Sequence, residues 1–430
     1  MTVAEAQTAE DGTIHLAVVK VRKFKAPITL LVIIALLGIL FLARPAVGET
    51  VYRLAEPGAA IKLDVFTVPA QPAIWISWVL AALLGIWSLV LAVNYRRTPL
   101  WLSIVYSLLA MFAFLTWSGA GSPAAVPVIG LLGGSLSLAV PLIFGALGGV
   151  IGERGGVVNV AIEGQFLLGA FTGAILGSVT KNPYVGLVGA MIGGVLVASV
   201  LAVFAIKYIV EQVIVGVVLN VLVSGLTGFL YTAVLANDAG TLNSPATFKP
   251  FAIPLLSEIP VIGPVLFKQT FLVYLMYVVV AVVTWGLYRT RWGLRLRAVG
   301  EHPQAADTVG IKVNPTRFWN VLLAGAIAGI GGAYFTLVSV PNFTKDMTAG
   351  LGFIALAAVI FGGWDPIRAT LAALLFGFAQ NLQNLLNVLG TPIPSEFMLM
   401  LPYIVTILAV VGFAGQIRAP AADGKPYIKG

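Results

Sequence analysis

Cysteine does not occur in this chain of 430 residues, which removes a disulfide framework and a thiolate metal site together. Histidine occurs twice, as His15 and His302, in separate polar segments. A metal or His-based catalytic centre therefore has almost nothing to build on. No GxxxxGK[ST] loop is present, so the chain does not cradle nucleotide phosphates in that way. Charge is scarce as well. Charged residues make up 10% of the chain, against about 25% in a soluble domain, and none lies between Arg97 and Glu153. A water-soluble fold is excluded.

What fills the chain is apolar: hydrophobic residues reach 59% and mean hydropathy is +0.99. A helix crosses the ~30 Å hydrocarbon core with about 20 apolar residues. Runs of that kind lie near 27–43, 74–93, 99–118, 128–150, 163–179, 184–206, 212–236, 269–288, 317–340, 368–387 and 396–415. A twelfth, 350–363, is too short to cross alone and is expected to be half-inserted. The runs are continuous rather than alternating, so the expected fold is an all-α, polytopic transmembrane bundle and not a β-barrel. The net charge of +8 does not point to nucleic acid, because its distribution follows the membrane. With the amino terminus inside, 18 of the 25 Lys and Arg fall in cytosolic segments, the positive-inside bias that places both termini in the cytosol.

Residues 1–26 read as a loose cytosolic tail, 27–120 as an extension of three spans, and 121–430 as the core, where glycine becomes dense. KVRKFK (20–25) before an apolar run resembles a signal peptide, but the long polar leader favours an uncleaved anchor. Small residues recur four apart, as at Gly130/Gly134, Gly145/Gly149, Gly189/Gly193 and Gly325/Gly329. That spacing lets helix backbones approach closely in lipid. Prolines at 250, 254, 260 and 264 forbid a continuous helix in the external segment 237–268, and a pair of short turns at the interface is expected.

Two helices read as broken at membrane depth, GERGGVVNVAIEGQ (152–165) and FGGWDPIRA (361–369). Unwound backbone there is tolerated only inside protein or beside a watery cavity. Asn159 is suited to cap a helix starting near Val160, and Glu163 to its first turn. Asn159, Glu163, Gln165, Asn220 and Gln380 are the candidates for lining a polar path; for Asn159 and Glu163 capping and lining are equally good readings, and for Asn220 a helix–helix hydrogen bond is the stronger one. Glu153 and Arg154 read as interfacial. Asp365-Pro366 reads as the start of the helix at 368–387.

Between two spans lies one polar island, RAVGEHPQAADTVGI (297–311). Pro303 suits a first helical turn and Gly310 the residue after a helix end, so a short helix over 303–309 is expected. Glu301, Pro303, Gln304, Ala305, Ala306, Asp307 and Gly310 make up the candidate docking element, with Ala305 and Ala306 as its smooth face.

QAADTVG (304–310) resembles the EAA-x-x-x-G loop of ABC importer membrane subunits. GERGGVVNVAIEGQFLLGAF (152–171), IPLLSEIPVIGPVLF (253–267) and the terminal RAPAADGKPYIKG (418–430) are similar to ABC-type nucleoside and simple-sugar importer permeases, which belong with the ribose and branched-chain amino-acid permeases. The resemblance covers about 121–430. It implies a type II-like importer fold in a bacterial cell membrane and no cofactor in this chain. It further implies a second permease, identical or homologous, ATPase subunits docked on the 303–309 helix, and a substrate-binding lipoprotein that delivers a small molecule. It also marks Glu153, Asn159, Glu163 and Gly164 as signature positions. The rival reading is an ion-coupled secondary transporter, for which Glu163 is the one strong buried acid. An intramembrane enzyme has almost no support.

Overall fold

The computed structural model describes residues 3–8, 14–19, 24–55, 64–391 and 418–429, with scattered positions between 396 and 407. Among the described residues nine helices are long and apolar enough to cross a membrane. The span expected at 396–415 falls largely outside them. The chain divides into two units, Met1–Val128 with Gln383–Gly415, and Ile129–Leu382 with Gln416–Gly430.

The first unit opens with an antiparallel pair, β1 (Val3–Thr8) and β2 (Ile14–Val19), where a loose tail was expected. Both runs carry β-branched residues, Val3 and Thr8 in one and Ile14, Val18 and Val19 in the other, which favour strands. Three helices follow: α1 (Lys25–Ala43), α2 (Ala70–Val93) and α3 (Leu100–Gly119). Leu30, Ile34, Ala81, Leu102 and Tyr106 form one core and Phe41, Ile74, Ala113 and Trp117 another. Polar tips reach backbone: the Trp78 Nε1–H donates to the Ile34 carbonyl at 2.8 Å, and the Trp117 Nε1–H to the Arg44 carbonyl at 2.8 Å. Between α1 and α2, β3 (Glu49–Arg53) pairs with β4 (Phe66–Pro69) on one side and β5 (Val126–Pro127) on the other.

The second unit is built on α4 (Val128–Arg154), α5 (Ile162–Val179), α6 (Pro183–Ala202), α7 (Gln212–Leu230), the short α8 (Ala239–Leu242) and α9 (Ile262–Phe267), α10 (Phe271–Arg289), α11 (Arg291–Glu301), α12 (Pro303–Thr308), α13 (Val313–Tyr334), α14 (Leu351–Phe361) and α15 (Pro366–Leu389), of which residues to 382 belong here. Helices α6, α7 and α13 each continue into a π-turn. The Pro-rich segment 237–268 makes no span. It holds a 3₁₀ turn at Leu256–Glu258, α9, and a two-residue pairing of β6 (Phe251–Ala252) with β7 (Lys268–Gln269).

Small residues set the core packing. Helices α5, α6 and α13 touch backbone to backbone: a Cβ on Gly194 would collide with the Gly325 carbonyl, and one on Gly169 would come 2.9 Å from the Gly329 carbonyl. Lipid offers no hydrophobic drive for this contact, so close approach supplies the dispersion. Backbone cannot yield as a side-chain tip does. Gly194→Ala is therefore expected to cost about 1–3 kcal/mol, read as a lower melting temperature in detergent. An unchanged melting temperature would show that α6 and α13 are not held this tightly.

A candidate docking and translocation site

The break after α4 is a turn built from backbone and amides. Gly155 and Gly156 close the helix, Gly156 at φ +87°. The Val158 N–H donates to Gln212 Oε1 at 2.8 Å. Asn220 on α7 then serves two backbone groups at once, accepting from the Gly164 N–H at 2.8 Å and donating to the Val160 carbonyl at 2.9 Å. Unwound backbone inside a membrane needs such partners. Asn159 does not cap α5. Ala161 occupies the capping position without a side-chain bond, and the Asn159 amide instead exchanges two hydrogen bonds of 3.1 Å with Gln165. Both are buried. Two amides six residues apart satisfy each other across the turn, an arrangement that helical spacing alone does not suggest.

Glu163 does stand in the first turn of α5, but its carboxylate caps a different helix. Oε1 accepts from Thr348 Oγ1 at 2.6 Å and from the Gly350 N–H at 2.9 Å, while Oε2 accepts from the Gly352 N–H at 2.6 Å. These are the leading groups of α14. A carboxylate at a helix N-terminus gains from both the free N–H groups and the dipole. The space admits little else, because a Cβ at Gly352 would run into the backbone of Glu163.

The other end of α14 is held by the other acid of the turn. Glu153, expected at the interface, is 2% exposed, and its Oε2 accepts from Trp364 Nε1–H at 2.5 Å. Arg154 Nε donates to the Trp364 carbonyl at 2.9 Å. Trp364 has φ +55°, a conformation held against the usual preference. Burial of Glu153 follows from this sharp turn, which folds the indole over the carboxyl. The 11-residue α14 is thus clamped between two carboxylates ten residues apart in sequence. At 1.5 Å per residue it spans about 16 Å, half the bilayer core, as a half-inserted helix should. Asp365 begins α15 as expected, accepting from the Arg368 N–H at 3.0 Å. Gln380 stands half-buried on α15, beside Asn381, which donates to the Leu131 carbonyl of α4 at 2.7 Å.

The polar island folds as two helices. α12 runs from Pro303 with His302 at the capping position, and Gly310 follows at φ +85°. Gln304, Ala305 and Val309 are exposed. Ala306 is not part of that face: at 3% exposure it packs with Val299 and Val313, because α11, unforeseen from the sequence, lies beneath it. Glu301 is exposed and its Oε2 accepts from the Ala421 N–H at 3.2 Å. Asp307 bonds to Tyr427. Sequence reasoning missed these tail contacts, along with Thr348, Gly352, Trp364 and Arg317; the quoted RAPAADGKPYIKG block was the available signal. Burial pushes the Asp423 carboxyl up to about 7, against the opposing pull of the Gly424 amide and the Arg317 guanidinium. Among the described residues no group of three or more His, Asp or Glu is placed to hold a metal ion.

Nine helices among the described residues that are long and apolar enough to cross a bilayer, with the apolar α14 too short to cross alone, define a multi-pass membrane protein. Residues 131–410 match the family described as branched-chain amino acid transport system / permease component, and the chain belongs to that family. It is 42% identical over 307 residues to the guanosine ABC transporter permease protein NupQ of Bacillus subtilis (strain 168), covering 69% of this chain and 95% of that protein. It is 41% identical over 303 residues to the nucleoside ABC transporter permease protein NupC of Lactococcus lactis, covering 68% and 95%. A putative glucose ABC transporter permease protein of Haloferax volcanii, TsgC13, is 37% identical over 254 residues, covering 59% and 77%. No solved structure matches. This chain is a permease subunit of an ABC importer, a transport component rather than an enzyme.

Proposed function

We propose that the cargo is a nucleoside or a related simple sugar, and that this chain forms half of its path across a bacterial cell membrane. The observation that carries the mechanism is the clamped α14: a half-inserted helix held at mid-membrane by Glu163 and near the docking island by Glu153. The names of the relatives support the cargo class. The second half of the path comes from another permease of the same fold, ATPase subunits dock on the exposed residues of α12, and a substrate-binding lipoprotein delivers the ligand. Glu163 and Gln380, both half-buried, are the residues proposed to face the path. The Asn159–Gln165 pair and Asn220 hold the wall behind Glu163.

Uptake of labelled guanosine by reconstituted complexes, competed with other nucleosides and with glucose, tests the cargo. Uptake that survives ATP depletion while ion gradients stand would favour an ion-coupled carrier instead. Orientation has a separate test. With Gln304→Cys as the single cysteine in the chain, an impermeant reagent added outside intact cells is expected to leave it unlabelled. Labelling from outside would reverse the proposed cytosolic termini and docking face.

A further inference from the structure

The tail at 418–429 is wedged between the island and the α4–α5 turn. On the island side, the Ala422 N–H donates to the Gly300 carbonyl at 2.9 Å, and Tyr427 packs against the Val299–Ala306–Val313 cluster. On the turn side, a Cβ at Gly156 would come 3.0 Å from the Ala422 carbonyl. From α13, Arg317 Nη1 donates to the Lys425 carbonyl at 2.7 Å. This is the same turn whose two flanking carboxylates hold α14.

The seat is built at a cost. Arg317 is 2% exposed, and among the described residues its Nε and Nη2 have no partner, nor has Asp423 Oδ1. A buried guanidinium with unsatisfied donors is expensive, and a tail with no task would leave it hydrated. α12 also needs help to transmit force. Ala306 is its buried residue, and it is flanked by His302 and by Gly310 in a left-handed conformation. A push on such an element is absorbed at its two ends unless something stiff stands behind it, since coupling travels through contiguous packed contacts.

We infer that residues 418–429 form a strap that carries movement of α12 to the α4–α5 turn and, through Glu153 and Glu163, to α14. Arg317 and Tyr427 are its positioning residues. The inference rests on α12 being the ATPase-docking element. The turn also meets α11 directly, where a Cβ on Gly300 would collide with the Arg154 carbonyl, so the strap serves the outer part of the island, α12 itself.

The test uses the complete importer with Ile360→Cys, an exposed position on α14, as the single cysteine of this chain, and a membrane-permeant maleimide as the probe. With the strap intact, ATP is expected to change the labelling rate about ten-fold, a usual size for coupling between sites. Removing 418–430 should abolish that change while the ATPase subunits still co-purify. Should the shortened chain fail to accumulate, Tyr427→Ala is expected to reduce the ATP effect at least about three-fold and Tyr427→Phe to reduce it less, because the ring keeps its packing while the bond to Asp307 is lost. An ATP effect that survives both truncation and Tyr427→Ala overturns the strap. So does an intact importer that binds its ATPase yet shows no ATP effect at Ile360→Cys, or a shortened chain that releases the ATPase, which would make the tail part of the docking surface. An intact chain that never binds an ATPase would instead refute the docking reading of α12.

Discussion

Glu163→Ala is expected to lower uptake per inserted molecule at least about ten-fold, while ATPase docking and membrane abundance persist. The substitution strips Thr348, Gly350 and Gly352 of their common acceptor. Hydrogen bonds to a charged group contribute about 1.5–3 kcal/mol each, so losing even one shifts the position of α14 by more than a decade in equilibrium. The N-terminus of α14 then has free N–H groups and no carboxylate to hold them. Transport normalised to inserted protein is the deciding measurement. Lost abundance with normal uptake per surviving molecule would mean that the cap serves folding alone and that Glu163 lines nothing.

Ala305→Arg is expected to release the ATPase subunits and bring uptake to background, with insertion unaffected. Ala305 is exposed on α12 beside Gln304, so a long charged side chain there costs the fold little. At a contact surface, a wrongly placed charge is worth about 2 kcal/mol or more, roughly a thirty-fold loss in affinity. Co-purification of tagged permease with its ATPase reads this directly. The neighbouring Ala306→Arg makes an informative contrast. It drives a guanidinium into the pocket of Val299 and Val313, and should reduce yield before docking is ever tested. If Ala305→Arg transports normally with its ATPase bound, α12 is not the docking element.

These two substitutions also show where sequence was sufficient and where it was not. Hydropathy placed nine spans to within a few residues, because lipid leaves so few options, whereas the expected 368–387 run is helical in α15 but is not among the described helices apolar enough to cross. α14 at Leu351–Phe361 sits inside the expected 350–363, and the Pro303 and Gly310 punctuation bounds α12 within a residue. Local chemistry of this kind is written in neighbouring residues. What escaped depends on residues far apart in the chain. Glu163 and Gly352 are brought together by the packing of α14 on α5, and no spacing rule links them. Glu153 is covered by Trp364, which lies 211 residues away in the chain. Ala306 turned inward because α11 is a helix with Gly293, Leu296 and Val299 buried along one side, a pattern masked by its three arginines. Asn159 and Gln165 satisfied each other, where a capping rule considers only the nearest backbone.

The clamp on α14 has an electrical consequence. The N-terminus of a helix carries roughly half a positive elementary charge, and Glu163 meets it with a carboxylate at hydrogen-bond distance. For a swing of this end about the Trp364 end, which Glu153 holds, the membrane voltage acts on about half a charge instead of a whole one. At ~2.3 kcal/mol per elementary charge per 100 mV for a full crossing, the field then does little work on a shift of a few ångströms. Such a swing of α14 is close to blind to voltage, which leaves the work to whatever pushes on α12.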